Sequence, residues 1–244
     1  IRERLEVVAR ISDAVEHAHA RGVVHRDLKP ANILVSTPAD GESDPRPRSG
    51  SAAHRTANAP DIKILDFGVA KAIDPALHRG TLHTSRGQLV GTLPYMSPEQ
   101  LSGDPNETDV RTDVYTLGVV LYEALTARLP YRVEKLSTAG AIRVITESAP
   151  DRLSAIDPAF RGDIETIAAT AMDPDKSRRY QTAAALGDDI RRHLANETIA
   201  ARPASVAYQL SRLARRHRPA VAAILVVLLA VVLSSVISGA ALVK

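Results

Sequence analysis

Hydrophobic positions near the start of the chain recur at helical spacing over residues 2–20. They are Leu5, Val8, Ile11 and Val15, each three or four positions from the next. This spacing places them on one face of a helix, so we predict an amphipathic helix over these residues. Gly22 stands just beyond it, where glycine commonly ends a helix.

Two short β-prone runs, residues 33–35 and 62–65, are typical of β-strands. The segment between them, about residues 36–60, is rich in Pro, Ser, Gly, Asp and Arg and has no apolar periodicity. We therefore predict a loop insertion on the surface between two strands.

The rest of the first 200 residues is mainly helical in pattern. Residues 71–100 are loop-like, with several Gly, Thr and Ser. The strongly apolar stretch 111–127 predicts a buried helix, and residues 163–172 and 182–194 predict two more. We expect a mainly α fold with short β hairpins.

Residues 220–243 contain no charged side chain. At about 1.5 Å per residue, a helix of this length spans roughly 36 Å, which exceeds the roughly 30 Å hydrocarbon core of a bilayer. We predict a single transmembrane helix, with a core helix or a signal-like segment as the alternatives.

Basic residues flank this apolar stretch unequally. Only Lys244 follows it, whereas residues 197–219 form a basic juxtamembrane linker. Four arginines lie just before the apolar stretch: Arg212, Arg215, Arg216 and Arg218. The positive-inside rule then places residues 1–219 in the cytoplasm of a single-pass protein of the cell membrane. The arginines are also suited to anionic lipid headgroups, although a solvated face of a linker helix is an alternative.

Composition excludes several kinds of site. The chain has 244 residues, a net charge of +3 and no cysteine. Disulfides, thiolate metal sites and cysteine nucleophiles are therefore excluded. A nucleic-acid partner is not expected, because that function needs a concentrated basic face.

Residues 25–32 read HRDLKPAN and place a base, an acid, two cations and an amide between apolar segments. Further motifs follow in order: Asp66-Phe67-Gly68, Gly91-Thr92, Ser97-Pro98-Glu99, Asp113 with Gly118, and Arg179-Tyr180. This ordered set of motifs resembles the large lobe of a eukaryotic-type protein kinase. The sequences around the motifs are similar to those of bacterial serine/threonine kinases. The resemblance covers residues 1–196; SPE in place of APE is a mild departure from it.

The resemblance implies a phosphoryl-transfer site that uses ATP and Mg²⁺. Asp27 matches the catalytic aspartate that orients the substrate hydroxyl and accepts its proton. Lys29 would offset charge on the transferring phosphoryl group of ATP. Asn32 and Asp66 match the two magnesium ligands, and oxygen ligands are those that Mg²⁺ prefers.

The resemblance also implies a phosphate-dependent switch. Arg26 is similar to the arginine that receives a phosphate on the activation loop, because a phosphorylated side chain pairs well with Arg. Thr81, Thr84 and Ser85 are the candidate acceptors, and nothing in the sequence separates them.

Other motif residues match positioning and structural roles. His25 and Phe67 match packing positions of the family, and Thr92 resembles the threonine near the substrate hydroxyl. Glu99 and Arg179 resemble a buried ion pair, and Asp113 resembles the helix residue that braces the catalytic loop. For His17 and His19 on the first helix, we expect partly buried or surface positions rather than a metal site, since no carboxylate cluster joins them.

The sequence departs from the family in one further respect. A complete kinase carries a small lobe with a Gly-rich loop and a phosphate-binding lysine before the first helix seen here. This sequence contains no GxGxxG and no VAIK-like strand. We therefore expect an incomplete fragment that lacks the N-terminal lobe and has little or no activity alone.

Three functional hypotheses remain. The first is a membrane-anchored serine/threonine protein kinase in signalling, with ATP, protein substrates and membrane lipid as partners, and a dimer as a further option. The second is a non-catalytic, membrane-tethered, kinase-like interaction module. The third, a helical membrane adaptor, leaves the ordered motifs unexplained.

Overall fold

A computed structural model of the chain describes residues 1–36, 60–66, 92–103, 107–202 and 209. The chain divides into two units, residues 1–191 and 192–244. The first unit contains the candidate site. In the second, the backbone N–H of Glu197 donates to the carbonyl of Arg192 at 2.8 Å, which closes a turn after the last helix described below.

Helix α1 spans Arg2–His19 and confirms the first predicted helix. Its buried face includes the four apolar residues of the sequence pattern. The chain leaves the helix through Gly22, whose φ of 75° is left-handed. The Gly22 N–H donates to the carbonyl of His19 at 2.9 Å, and the Val23 N–H donates to that of Ala18 at 3.0 Å. This pair of bonds is the Schellman ending that favours glycine.

Two antiparallel strands follow a 3₁₀ turn at Pro30–Asn32. Strand β1 spans Ile33–Ser36 and β2 spans Asp61–Ile64, with Ile33 opposite Ile64. Both predicted strands are therefore confirmed. The predicted insertion between them lies outside the described residues, apart from its two ends.

Helices dominate the remaining described residues. They are α2 (Pro98–Ser102), α3 (Val110–Thr126), α4 (Thr138–Glu147), α5 (Leu153–Ile156), α6 (Asp163–Ala171) and α7 (Ala183–Leu194), with 3₁₀ turns at Leu93–Tyr95 and Pro158–Phe160. The three helices predicted in this region correspond to α3, α6 and α7. Within the described residues the fold is mostly helical with one two-stranded sheet.

Helix α3 forms the centre of the helical layer, because most of its side chains are buried. It packs against both α1 and α6. At Gly118 a Cβ atom would lie 2.7 Å from Cγ of Met172, so the close approach of α3 to the end of α6 requires glycine.

The loop interpretation of residues 71–100 is wrong at its C-terminal end, where α2 begins. Ser97 and Gln100 form a capping box, which satisfies backbone N–H groups of the first turn and starts the helix at Pro98. Pro98 suits this first helical position because its missing N–H needs no partner there.

Among the residues that the structure describes, no helix is both long and apolar enough to cross a bilayer. The predicted span, residues 220–243, lies outside the described part of the chain, as does most of the basic linker before it. The transmembrane helix stays a prediction.

Candidate active site

The centre of the site is a carboxylate, an ammonium group and a hydroxyl held together. The Nζ atom of Lys29 donates to Oδ2 of Asp27 at 3.2 Å and to Oγ1 of Thr92 at 3.0 Å. The side chains of Asp27 and Lys29 are 20% and 21% exposed, so the pair is shielded yet reachable from solvent. The structure thus brings together three predicted site residues from two distant segments.

Asn32 is hydrogen-bonded to the backbone of Asp27. Its Nδ2 atom donates to the backbone carbonyl of Asp27 at 2.8 Å. This bond orients the carboxamide, and within the described residues no donor is bonded to its Oδ1 atom. The buried Asn32 side chain therefore presents a carbonyl oxygen as a candidate metal ligand.

Asp66 lies two positions after the end of β2 and is exposed. The N–H of the preceding Leu65 donates to the carbonyl of Asn32 at 2.8 Å, so the two candidate magnesium ligands lie on adjoining backbone segments. In the described ranges no group of three or more His, Cys, Asp or Glu is placed to hold a metal. The donor set of one amide and one carboxylate oxygen still fits Mg²⁺, which keeps several waters and takes few protein ligands.

His25 links the segments of Asp27 and Asp66. Its Nε2 atom lies 2.9 Å from the carbonyl of Leu65, and its Nδ1 atom lies 3.3 Å from the N–H of Asp27. A carbonyl only accepts and a backbone N–H only donates, so we assign the neutral tautomer with the proton on Nε2. The buried ring thereby sets the spacing between the two acidic residues.

Asp113, fully buried on α3, accepts three hydrogen bonds, and two of them hold the candidate catalytic loop, residues 25–32, to the helical core. Its Oδ1 atom accepts from the N–H of Arg26, and its Oδ2 atom accepts from the N–H of His25, each at 2.8 Å. The Nε2 atom of His19 also lies 2.8 Å from Oδ2. Three donors leave this carboxylate well compensated for its burial.

The role of His19 was missed by sequence reasoning. Its side chain is 4% exposed and connects the end of α1 to Asp113. The partner lies 94 positions away in sequence, and no local pattern joins them. His19 thus contacts the carboxylate that holds the backbone of His25 and Arg26.

Arg26 directly precedes Asp27 and has a φ of 65°. This left-handed conformation is uncommon for a residue with a side chain and is typical of constrained sites. Its buried Nε atom has no hydrogen-bond partner among the described residues. The candidate phosphate acceptors Thr81, Thr84 and Ser85, together with Phe67, lie outside the described part of the chain.

Glu99 and Arg179 form a buried ion pair with two parallel contacts. The NH1 atom lies 2.6 Å from Oε1 and the NH2 atom 2.8 Å from Oε2. Thr112 donates a third hydrogen bond to Glu99 at 3.0 Å. Burial alone would raise the pKa of Glu99, but the hydrogen bonds and charge of Arg179 outweigh it and lower that pKa. The guanidinium also lies 5.0 Å from the centre of the Tyr115 ring.

Tyr95 anchors the segment that carries Thr92. Its hydroxyl donates to Oε2 of Glu123 on α3 at 2.7 Å. Burial, and then the hydrogen bond to Glu123, raise the pKa of Tyr95, so the phenol stays protonated and remains a donor. Sequence reasoning did not assign this pair.

The chain is similar in sequence to known protein kinases. Residues 2–189 match the protein kinase domain family. The serine/threonine-protein kinase Pkn1 of Myxococcus xanthus is 35% identical over 191 residues, which are 78% of this chain and 24% of that protein. The serine/threonine-protein kinase PknB of Mycobacterium tuberculosis is 34% identical over 188 residues, which are 77% and 26% of the two chains.

A solved structure is also similar. The kinase domain of PknI from Mycobacterium tuberculosis, in a double-mutant form, aligns with 19% identity and a TM-score of 0.49, over 78% of this chain and 53% of that chain. The present chain spans about a quarter of the length of the curated relatives that it matches.

Proposed function

The chain belongs to the protein kinase domain family, and we propose that it supplies the large lobe of a membrane-anchored serine/threonine kinase that transfers the γ-phosphoryl group of ATP to protein hydroxyls. The observation that carries this proposal is the position of Lys29, whose Nζ atom contacts both Asp27 and Thr92. A base and a cation for a phosphoryl group then lie beside each other at a partly exposed surface.

Asp27, Lys29 and Thr92 each have a different role in the proposed reaction. Asp27 orients the Ser or Thr hydroxyl of the substrate and takes its proton. The substrate oxygen forms a bond to the γ-phosphorus while the bond from that phosphorus to the bridging oxygen of ADP breaks. Lys29 offsets the charge that develops on the transferring group. The hydroxyl of Thr92 accepts a hydrogen bond from the Lys29 ammonium and helps to keep it next to the Asp27 carboxylate.

The candidate metal ligands complete the site. Asn32 and Asp66 would hold Mg²⁺ through an amide oxygen and a carboxylate oxygen, and a bound ion would neutralise phosphate charge there. The hydrogen bond from Asn32 to the Asp27 carbonyl ties one of these ligands to the catalytic residue. A shift of one would therefore move the other.

The sequence supports two further parts of this proposal. The uncharged stretch 220–243 and the arginines before it support a single membrane span with residues 1–219 in the cytoplasm. Arg26, with its buried Nε atom, supports a phosphate receptor for Thr81, Thr84 or Ser85.

The experiment uses the product of the longest open reading frame that contains these 244 residues, purified in detergent. We expect Mg²⁺-dependent transfer of labelled phosphate from ATP to Ser or Thr of a general protein substrate. Asp27→Asn should lower the rate at least about 100-fold, because general base catalysis typically contributes that much or more. Asp157→Asn is the matched control, since exposed Asp157 caps a 3₁₀ turn and Asn caps equally well.

The same experiment separates the alternatives. Binding of Mg-ATP without any phosphorylation would reject the kinase proposal and favour a non-catalytic interaction module. Equal activity of the wild type and Asp27→Asn would reject the assigned role of Asp27. We also expect the 244-residue chain by itself to have little or no activity, because its sequence shows no Gly-rich phosphate loop.

A further inference from the structure

We propose that Gln100 is a positioning residue that holds the peptide bond between Arg26 and Asp27 in its active orientation. This inference rests on the kinase function proposed above. It concerns a residue outside the matched catalytic motifs, on the short helix α2.

The two ends of the Gln100 carboxamide face different structures. Its Oε1 atom accepts from the backbone N–H of Ser97 at 3.0 Å and thereby completes the cap of α2. Its Nε2 atom donates to the carbonyl of Arg26 at 2.7 Å, across 74 positions of sequence. The two contacts set the amide orientation, because only the nitrogen end can donate.

The Arg26 carbonyl belongs to the same peptide unit as the Asp27 N–H. Gln100 holds the carbonyl side, and Nδ1 of His25 accepts from the N–H side at 3.3 Å. The preceding peptide is held by Asp113, which accepts from the Arg26 N–H at 2.8 Å. The backbone on both sides of Arg26 is therefore restrained by side chains from α2, α3 and the catalytic loop itself.

Restraint matters here because Arg26 has a φ of 65°. A residue with a Cβ atom keeps such a conformation only where its surroundings determine it. Rotation of the freed peptide would change ψ of Arg26 and φ of Asp27 together. The Asp27 carboxylate would then leave the position in which it meets Lys29.

The competing explanation is that Gln100 only caps α2. Three variants separate the two roles. Gln100→Glu keeps an acceptor for the Ser97 N–H, as in the common capping box, but has no N–H for the Arg26 carbonyl. Gln100→Met removes both contacts without adding charge. Ser97→Ala removes the hydroxyl part of the cap but leaves the donor to Arg26 in place.

We expect Gln100→Glu and Gln100→Met to lower kcat about tenfold in the full-length protein. The KM values for ATP and protein substrate should stay within about twofold, because the binding contacts remain. Ser97→Ala should keep kcat within about twofold and lower the melting temperature by about 2–4 °C, since loss of an N-cap acts on stability. A loss of kcat in Ser97→Ala equal to that in Gln100→Glu, or no loss in Gln100→Glu, would overturn the proposal.

A readout without catalysis keeps the two proposals distinct. Hydrogen–deuterium exchange of the Asp27 amide should be about tenfold faster in Gln100→Glu than in the wild type, and unchanged in Ser97→Ala. If the wild-type protein transfers no phosphate, the kinase function fails, while this exchange difference still decides the positioning role. Equal exchange in all proteins would reject it.

Discussion

The buried ion pair of Glu99 and Arg179 leads to a stability prediction for Glu99→Gln. The two side chains are 4% and 0% exposed, so neither charge is solvated by bulk water. Glutamine keeps the size of the side chain and an oxygen for Thr112, but it leaves the guanidinium buried without a counter-charge. Breaking such a pair on one side destabilises a protein by about 3–5 kcal/mol. We expect Glu99→Gln to lower the free energy of unfolding by about 3 kcal/mol, the lower end of this range, because the Gln oxygen can still accept a hydrogen bond from Arg179.

Thermal and urea unfolding of the purified chain, followed by circular dichroism, measure this effect. For a domain of this size, about 3 kcal/mol corresponds to a decrease of roughly 6–12 °C in melting temperature. Glu147→Gln is the matched control, because Glu147 pairs with Arg143 at 2.9 Å on an exposed helix surface. Its removal should leave the melting temperature unchanged within error, as for most surface pairs.

The pH dependence follows from the direction of the pKa shift. Burial raises the pKa of Glu99, but Arg179 more than compensates, so the folded-state pKa is below the ordinary value. The unfolded chain then binds the proton more readily, and the stability due to this pair is complete above about pH 4.3, the ordinary pKa of Glu. It is lost as the pH falls through the folded-state value. The difference between wild type and Glu99→Gln should therefore be full at pH 7 and shrink in acid.

A double-mutant cycle tests the cause. Replacing both residues in Glu99→Leu/Arg179→Met removes both buried charges, so the double variant should be less destabilised than the sum of the two single variants. A cost below about 1 kcal/mol for Glu99→Gln, with no change between pH 7 and acid, would refute the ion-pair reasoning.

Three other predictions concern α3 and its contacts. Asp113→Asn should destabilise the protein by about 1–3 kcal/mol in urea unfolding and lower kcat, because an amide nitrogen would face the backbone N–H groups of the candidate catalytic loop. An unchanged kcat would contradict the proposed role of Asp113 in holding that loop. Gly118→Ala should cost about 1–3 kcal/mol by the same measurement, since the new Cβ atom would meet Met172 at 2.7 Å, and full stability would show that α6 can yield. Tyr95→Phe should cost about 1.5–3 kcal/mol, because the Glu123 carboxylate loses its phenol donor; a smaller cost would mean that water replaces the hydroxyl.

Helices with a long periodic pattern were predictable from sequence, and short capped ones were not recognised. Helix α1 repeats its apolar face over several turns, and α3 is apolar enough to predict burial. Helix α2 has only five residues, too few for a period to appear. Its signal was the capping box, Ser97 followed by Gln three positions later, which is readable before a structure is known.

The candidate site residues could be proposed from the sequence because their motifs are short and occur in a set order. Their supporting contacts could not, since they join residues far apart in sequence. The bond from His19 to Asp113 spans 94 positions, and that from Gln100 to Arg26 spans 74. A sequence shows that such residues are polar, but only packing shows which buried polar group each of them satisfies.

His25 contacts the backbone beside two site residues that have an unusual conformation. They are Arg26 and Asp66, which have left-handed φ values of 65° and 54° although neither is a glycine. His25 contacts the backbone next to each, through the Asp27 N–H on one side and the Leu65 carbonyl on the other. Its backbone N–H is in turn held by Asp113. The buried His25 ring thus contacts the backbone beside both constrained residues. A substitution that tilts this ring should therefore displace the candidate base Asp27 and the candidate metal ligand Asp66 together rather than separately.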